Sequence, residues 1–328
     1  MKTTTKISLS ILLSVIYIHK SHAEQSFVYN DLVNHYAVQR AATPIAIDGR
    51  LDEFAWETAA QIDRFERILN DYDSISRPTR AKMLWDAENF YFAFSCQDPD
   101  AWAIFDAEDD PMWSEEVVEV FIDPDGDGEN YLELEVNPLN AVVDLRIIAL
   151  QPMWQSSKDW DIKGLQTAVE VHGSVNDSLA RDLGWTAEIA IPWTAFADSI
   201  DGGGLPTVGD TWRLNLYRIE RTAGRALKLQ LDAITQRARP LYEELTQLPR
   251  ESAADSLEAI YPENWRQYLD EQVRQRLAQL EDELAPIRLE LEPLQKRHRD
   301  ETEFTAWSEP YHRGFHHPAR FGVVQFVD

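Results

Sequence analysis

The chain has 328 residues, with 57 Asp and Glu against 31 Lys and Arg, a formal net charge of −26. That charge excludes a partner bound mainly through phosphates, nucleic acid first of all. Hydrophobic residues at 44% and charged residues at 27% exclude general disorder, and the single cysteine, Cys96, excludes a disulfide framework or a multi-cysteine zinc site. In chain order the first element is a targeting segment. Lys2 and Lys6 precede an apolar run over 7–18, and Ser21-His22-Ala23 offers the small residues a signal peptidase reads, so 1–23 is expected to be removed. The mature protein is then secreted or periplasmic. The apolar run is too short to span a bilayer, and no later stretch reaches 18 residues. A lead-in occupies 24–43.

Alternating or short apolar runs bounded by turn residues predict strands over 80–85, 89–96, 117–122, 130–136, 141–150, 167–172, 185–191, 211–220 and 322–327. Helical patterns do not alternate with them, so the predicted class is mainly β, an antiparallel sandwich. After Arg221 the composition turns to Leu, Glu, Gln and Arg. Leu277, Leu280, Leu284, Ile287, Leu291, Leu294 and His298 recur at spacings of three and four. This predicts an α-helical hairpin insertion over 224–302, its arms about 227–248 and 263–301, with Pro286 and Pro293 kinking the second arm or ending it near Glu283. The stripe either pairs the two arms with each other or offers a surface for a protein partner or self-association.

Several phrases carry a family resemblance. They are Ile47-Asp48-Gly49-Arg50-Leu51-Asp52-Glu53-Phe54-Ala55-Trp56, then Val118-Glu119-Val120-Phe121-Ile122-Asp123-Pro124 running through Asp125-Gly126-Asp127-Gly128 to Tyr131-Leu132-Glu133-Leu134-Glu135-Val136-Asn137-Pro138. Gly184-Trp185-Thr186-Ala187-Glu188-Ile189-Ala190-Ile191-Pro192-Trp193, Trp212 to Arg218, and Phe315 to Gly322 follow. In this order they resemble the family 9 carbohydrate-binding modules and their secreted relatives, over 44–223 and 303–328, leaving 224–302 unmatched. The resemblance implies an immunoglobulin-like β-sandwich, binding of an oligo- or polysaccharide in support of its degradation, and calcium as a structural ion. It also implies an aromatic sandwich around a terminal sugar, at whose two places stand Trp113 and Trp307, with Glu115, Glu116 and Arg146 as hydroxyl partners.

The side chains suit such a ligand, because the axial C–H faces of a pyranose are apolar and stack on aromatic rings. Of the 11 tryptophans, Trp56, Trp185, Trp193 and Trp212 lie in patterned elements and read as core; Trp102, Trp113, Trp154, Trp160 and Trp307 lie in predicted loops. Between Lys82 and Arg146 stand 18 acids and no Lys or Arg. Within that stretch Asp123, Asp125 and Asp127 alternate before a glycine, as in the first half of a calcium loop, although Leu134 replaces the closing Glu. The turn is either a calcium site or a solvated acidic turn. Glu119, Glu133 and Glu135 are either the carboxylates of a glycoside hydrolase or the polar face of a hairpin. His312, His316 and His317 lack the spacing of a helical zinc motif. A haem-binding domain of DOMON type, with Met112 or Met153 as an axial ligand, is the alternative from another class.

Overall fold

The computed structural model describes residues 33–68, 77–157, 159–197, 199–251 and 265–328; the targeting segment and residues 24–32 of the lead-in lie outside them. The chain opens with β1 (His35–Arg40), helix α1 (Phe54–Thr58), the short β2 (Glu66–Arg67), then β3 (Thr79–Trp85) and β4 (Asn89–Gln97). There follow β5 (Val117–Asp123), β6 (Tyr131–Val136), β7 (Val142–Ala149), β8 (Gln155–Ser157), β9 (Gln166–Val171) and β10 (Gly184–Pro192). Helix α2 (Trp193–Ala197), β11 (Thr211–Arg221), two long helices α3 (Gly224–Glu251) and α4 (Glu271–Asp300), β12 (Thr302–Ala306) and β13 (Gly322–Phe326) complete it. The protein is mainly β. Each of the nine predicted strands is present, with bounds shifted by a residue or so; β2 and β8, too short to show a period, were not predicted, and neither were β12 and β1, in which only Tyr36 and Val38 alternate inward.

The strands form one curled sheet in the order β8-β7-β6-β5-β11-β13-β1-β3-β4-β10-β9, with β12 paired to β11 and β2. β1 makes the turn of the curl. Its His35–Val38 half runs parallel to β13, while Gln39 and Arg40 pair with β3. Strand pleating then sorts the side chains. Val118, Val120 and Ile122 of β5 and Leu132, Leu134 and Val136 of β6 join Phe90, Phe92 and Phe94 of β4 and Trp185, Ile189 and Ile191 of β10 in one apolar core. Cys96 is part of it, and burial pushes its thiol up to about 11, so it behaves as a small hydrophobe.

Two of the family phrases meet at Glu188. Its carboxylate on β10 accepts from Trp56 Nε1 at 2.8 Å and from the backbone N–H of Asp48 and Gly49 at 3.0 and 2.9 Å. Gly49 has φ +87°, and a Cβ there would stand 2.8 Å from the β9 backbone, so only glycine fits.

α3 and α4 occupy the place of a hairpin turn, since Arg221 at the end of β11 pairs directly with Thr302 at the start of β12. Leu291 of α4 packs with Leu227, Leu231 and Ile234 of α3, and Glu244 takes a two-pronged ion pair from Arg276 at 2.6 Å. The apolar stripe is thus buried between the arms. Neither Pro286 nor Pro293 ends α4, which continues to Asp300, and α3 likewise runs through Pro240. Each proline removes one N–H, a loss the interhelical packing of Leu284, Ile287, Leu291 and Leu294 outweighs.

Candidate functional site

The opposite face of β5, β6, β7 and β11 carries the chemistry. Because Val120 and Leu134 point into the core, Glu119, Phe121, Glu133 and Glu135 point to the other side, where Leu145 and Ile219 join them. Part of this face is roofed by the 302–321 segment through Phe304, Phe315 and His316. What is left open is a cleft of about 600 Å³. Trp113, on the single turn Met112–Ser114 ahead of β5, and Trp154, ahead of β8, stand at it with 41% and 49% of their surfaces exposed, and Arg221 and Arg313 supply positive charge.

The floor is acidic and buried. One carboxylate oxygen from each of Glu119, Glu133 and Glu135 lies within 4.8 Å of the other two, and the three residues are 2%, 5% and 1% exposed. Burial pushes Glu133 up to about 8; burial first, and then neighbouring carboxylates, hold Glu119 and Glu135 well above the usual range. Burial draws the Arg221 guanidinium down to about 10. Arg221 donates to the Glu115 and Trp113 carbonyls at 3.2 and 3.0 Å and to Thr302 Oγ1 at 3.0 Å, with His298 Nε2 at 3.2 Å. It therefore ties Trp113 to the base of α4. His316 is held neutral by burial, which lowers it to about 3; its Nδ1 is 2.6 Å from the Tyr131 hydroxyl, and its ring meets Trp154 edge-on at 4.2 Å.

The structure brings only some of the predicted residues here. Trp113 lies at the cleft. Trp307 does not: it is 4% exposed in the main core, edge-on to Tyr36. Its loop-like sequence hides a backbone bond from its N–H to the Leu216 carbonyl, which seats it inside. Glu115 is fully buried and accepts from Ile104 N, Phe105 N and Asn137 Nδ2, so it staples loops rather than facing a ligand. Glu116, 1% exposed, clusters with Asp98 and Glu220 beside Arg218. Arg146 alternates with Leu145 on β7 and so projects from the face of the sheet opposite the cleft. Of the other loop tryptophans, Trp102 is buried with its Nε1 on the Arg221 carbonyl and Trp160 packs beside the main core, which leaves Trp154 as the second tryptophan of the cleft. Glu119, Glu133 and Glu135 were legible by alternation as one face; Arg221 and Arg313 come from distant segments and gave no signal, and His316 stood out only within a family phrase and a histidine cluster.

Asp123, Asp125 and Asp127 also converge within 4.8 Å, at the β5–β6 turn. Asp123 accepts from the N–H of Gly126 and of Gly128, each at 3.0 Å, and burial with its two acidic neighbours raises it to about 7. The donors are hard oxygens with lone pairs to spare, a set that fits calcium. Countercharge for the acidic stretch comes from β11, where Arg213 pairs across from Asp123 and Arg218 bonds Asp98 at 3.1 Å. Among the described residues no cluster of three possible ligands contains a histidine, and Met112 is buried while Met153 is 69% exposed. No described helix is long and apolar enough to cross a membrane.

Comparison with known proteins follows the same lines. The family model described as carbohydrate family 9 binding domain-like matches residues 47–209. A crystal structure of a Bacteroides uniformis ATCC 8492 protein described as carbohydrate-binding superposes with a TM-score of 0.53 at 12% identity, over 89% of this chain and 99% of that one. A family 9 carbohydrate-binding module from Caldicellulosiruptor kristjanssonii, in complex with cellotriose, gives 0.45 at 13% identity over 90% and 94%; with glucose the values are 0.43, 11%, 88% and 95%. Among curated proteins no match was found.

Proposed function

This chain carries a domain of the carbohydrate family 9 binding domain-like family, and we propose that it is an exported, non-catalytic carbohydrate-binding protein that holds a sugar in the cleft between Trp113 and Trp154. We read the curled sheet as the immunoglobulin-like sandwich of such modules and α3 with α4 as an insertion into it. The observation that carries the reading is two half-exposed indoles beside a floor of buried carboxylates and a guanidinium. The rings offer stacking for the apolar faces of a pyranose, and the carboxyl groups of Glu119, Glu133 and Glu135 with the remaining N–H of Arg221 offer polar partners for its hydroxyls. Hydrolysis needs two acids on either side of the scissile bond. Here all three acids rise from one floor, which favours holding a sugar over cutting it. Calcium at the Asp123–Asp127 turn belongs to the same proposal: chelation is expected to lower the melting temperature of the wild type by more than that of an Asp125→Asn/Asp127→Asn variant.

Calorimetric titration with glucose, cellotriose and a panel of oligosaccharides tests the cleft. Trp113→Ala and Trp154→Ala are each expected to lose about 2 kcal/mol, roughly thirtyfold in affinity, with little loss of stability. No binding across the panel, or wild-type affinity in both variants, would end the proposal.

A further inference from the structure

The cleft floor holds more buried carboxyl oxygens than its hydrogen bonds account for. Glu119 and Glu135 face each other directly across β5 and β6, and Glu133 lies two residues along β6 on the same side. All three are more than nine-tenths buried, yet Oε2 of Glu133 and Oε2 of Glu135 have no hydrogen-bond partner among the described residues. Buried acceptors in that state are costly unless something occupies them. Neighbouring positive groups do not. Arg221 directs four of its five side-chain N–H groups to Trp113, Glu115, Thr302 and His298, and His316 Nε2 stands 3.7 Å from Glu133 Oε2, beyond hydrogen-bond reach. Were all three carboxylates ionised, Arg221 and Arg313 at the cleft would still leave one negative charge for a cation to offset.

We propose that Glu119, Glu133 and Glu135 bind a calcium ion at the floor of the cleft, separate from the Asp123–Asp127 turn. The donor set selects this ion. Three carboxylate oxygens within 4.8 Å of one another are close enough to share one hard cation, and calcium accepts irregular all-oxygen sets where magnesium demands a near-ideal octahedron and keeps its waters. Calcium takes about six to eight oxygens, so three glutamates leave positions open toward the cleft. Vicinal hydroxyls of a sugar fill them. That second half rests on the cleft being the carbohydrate site; the ion itself does not.

Calcium alone is the first probe, titrated calorimetrically into chelator-treated protein. A site that persists in Asp125→Asn/Asp127→Asn and weakens at least tenfold in Glu135→Gln is expected. Absence of calcium binding, or its complete loss in the aspartate variant, overturns the assignment. Terbium substituted for calcium locates the ion without touching a carboxylate. Its tryptophan-sensitised emission should fall in Trp113→Phe/Trp154→Phe, and undiminished emission overturns the site even if Glu135→Gln fails to fold. Glucose and cellotriose then separate the two claims. Calcium bound without any sugar binding removes the carbohydrate reading and keeps the ion, while sugar affinity unchanged by chelator removes the ion's part in recognition.

Discussion

Trp307 and Gly322 make one contact that can be broken from either side. The indole is 4% exposed, and a Cβ on Gly322 would fall 2.4 Å from its Cζ3, 2.6 Å from its Cη2 and 3.0 Å from the Asn34 carbonyl oxygen. Trp307→Ala should cost about 3–5 kcal/mol, the range for deleting a buried tryptophan. Gly322→Ala should cost about 1–3 kcal/mol by overpacking, because the ring cannot retreat through Tyr36, 6.4 Å away between centroids. Phenylalanine has no atoms at the Cζ3 and Cη2 positions. In Trp307→Phe the new methyl of Gly322→Ala therefore enters vacated space, and the double variant should be less destabilised than the sum of the singles by about 1 kcal/mol. Urea unfolding followed by circular dichroism measures all four corners of the cycle. Additivity within about 0.3–0.5 kcal/mol would refute the contact, and Trp307→Phe with full stability but lost sugar affinity would return Trp307 to the ligand.

Chelated protein should gain stability as pH falls from 8 to 6.5. Glu133 at about 8, and Asp123 and Glu220 at about 7, lie above ordinary carboxylate values, so in that window the folded state binds more protons than the unfolded one. The buried His316 and His298, lowered to about 3 and about 4, pull the other way below 6.5 but are outnumbered by the raised carboxyls until these also protonate in the unfolded chain near 4.5, so the melting temperature should peak only around that pH; a steady rise in melting temperature from 6.5 to 8 would contradict this. Glu188→Ala strands the donors of Trp56, Asp48 and Gly49 and should cost about 3 kcal/mol or more in urea unfolding, without changing sugar affinity in the fraction that remains folded. Protein recovered from a secreting cell should begin at Glu24, which intact mass reads directly.

The strands were legible because each carries its own period. β6, with Leu132, Leu134 and Val136 alternating with Glu133 and Glu135, announces both a strand and which residues share a face. Likewise the three-and-four spacing of Leu277, Leu280 and Leu284 marks α4 by itself, even across Pro286 and Pro293. The local pattern does not say what covers a face. Trp113 and Trp307 look alike in sequence, two tryptophans among polar neighbours, and they part only because the chain after β12 turns inward past Gly322 while the turn before β5 stays outside. The countercharges of the acidic stretch were equally hidden, since Arg213, Arg218 and Arg221 reach it only through the pairing of β5 with β11. Periodicity is a property of neighbours along the chain and is written in the sequence. The cleft is made by segments some hundred to two hundred residues apart, and pairing energies between such segments are settled only when the sheet closes.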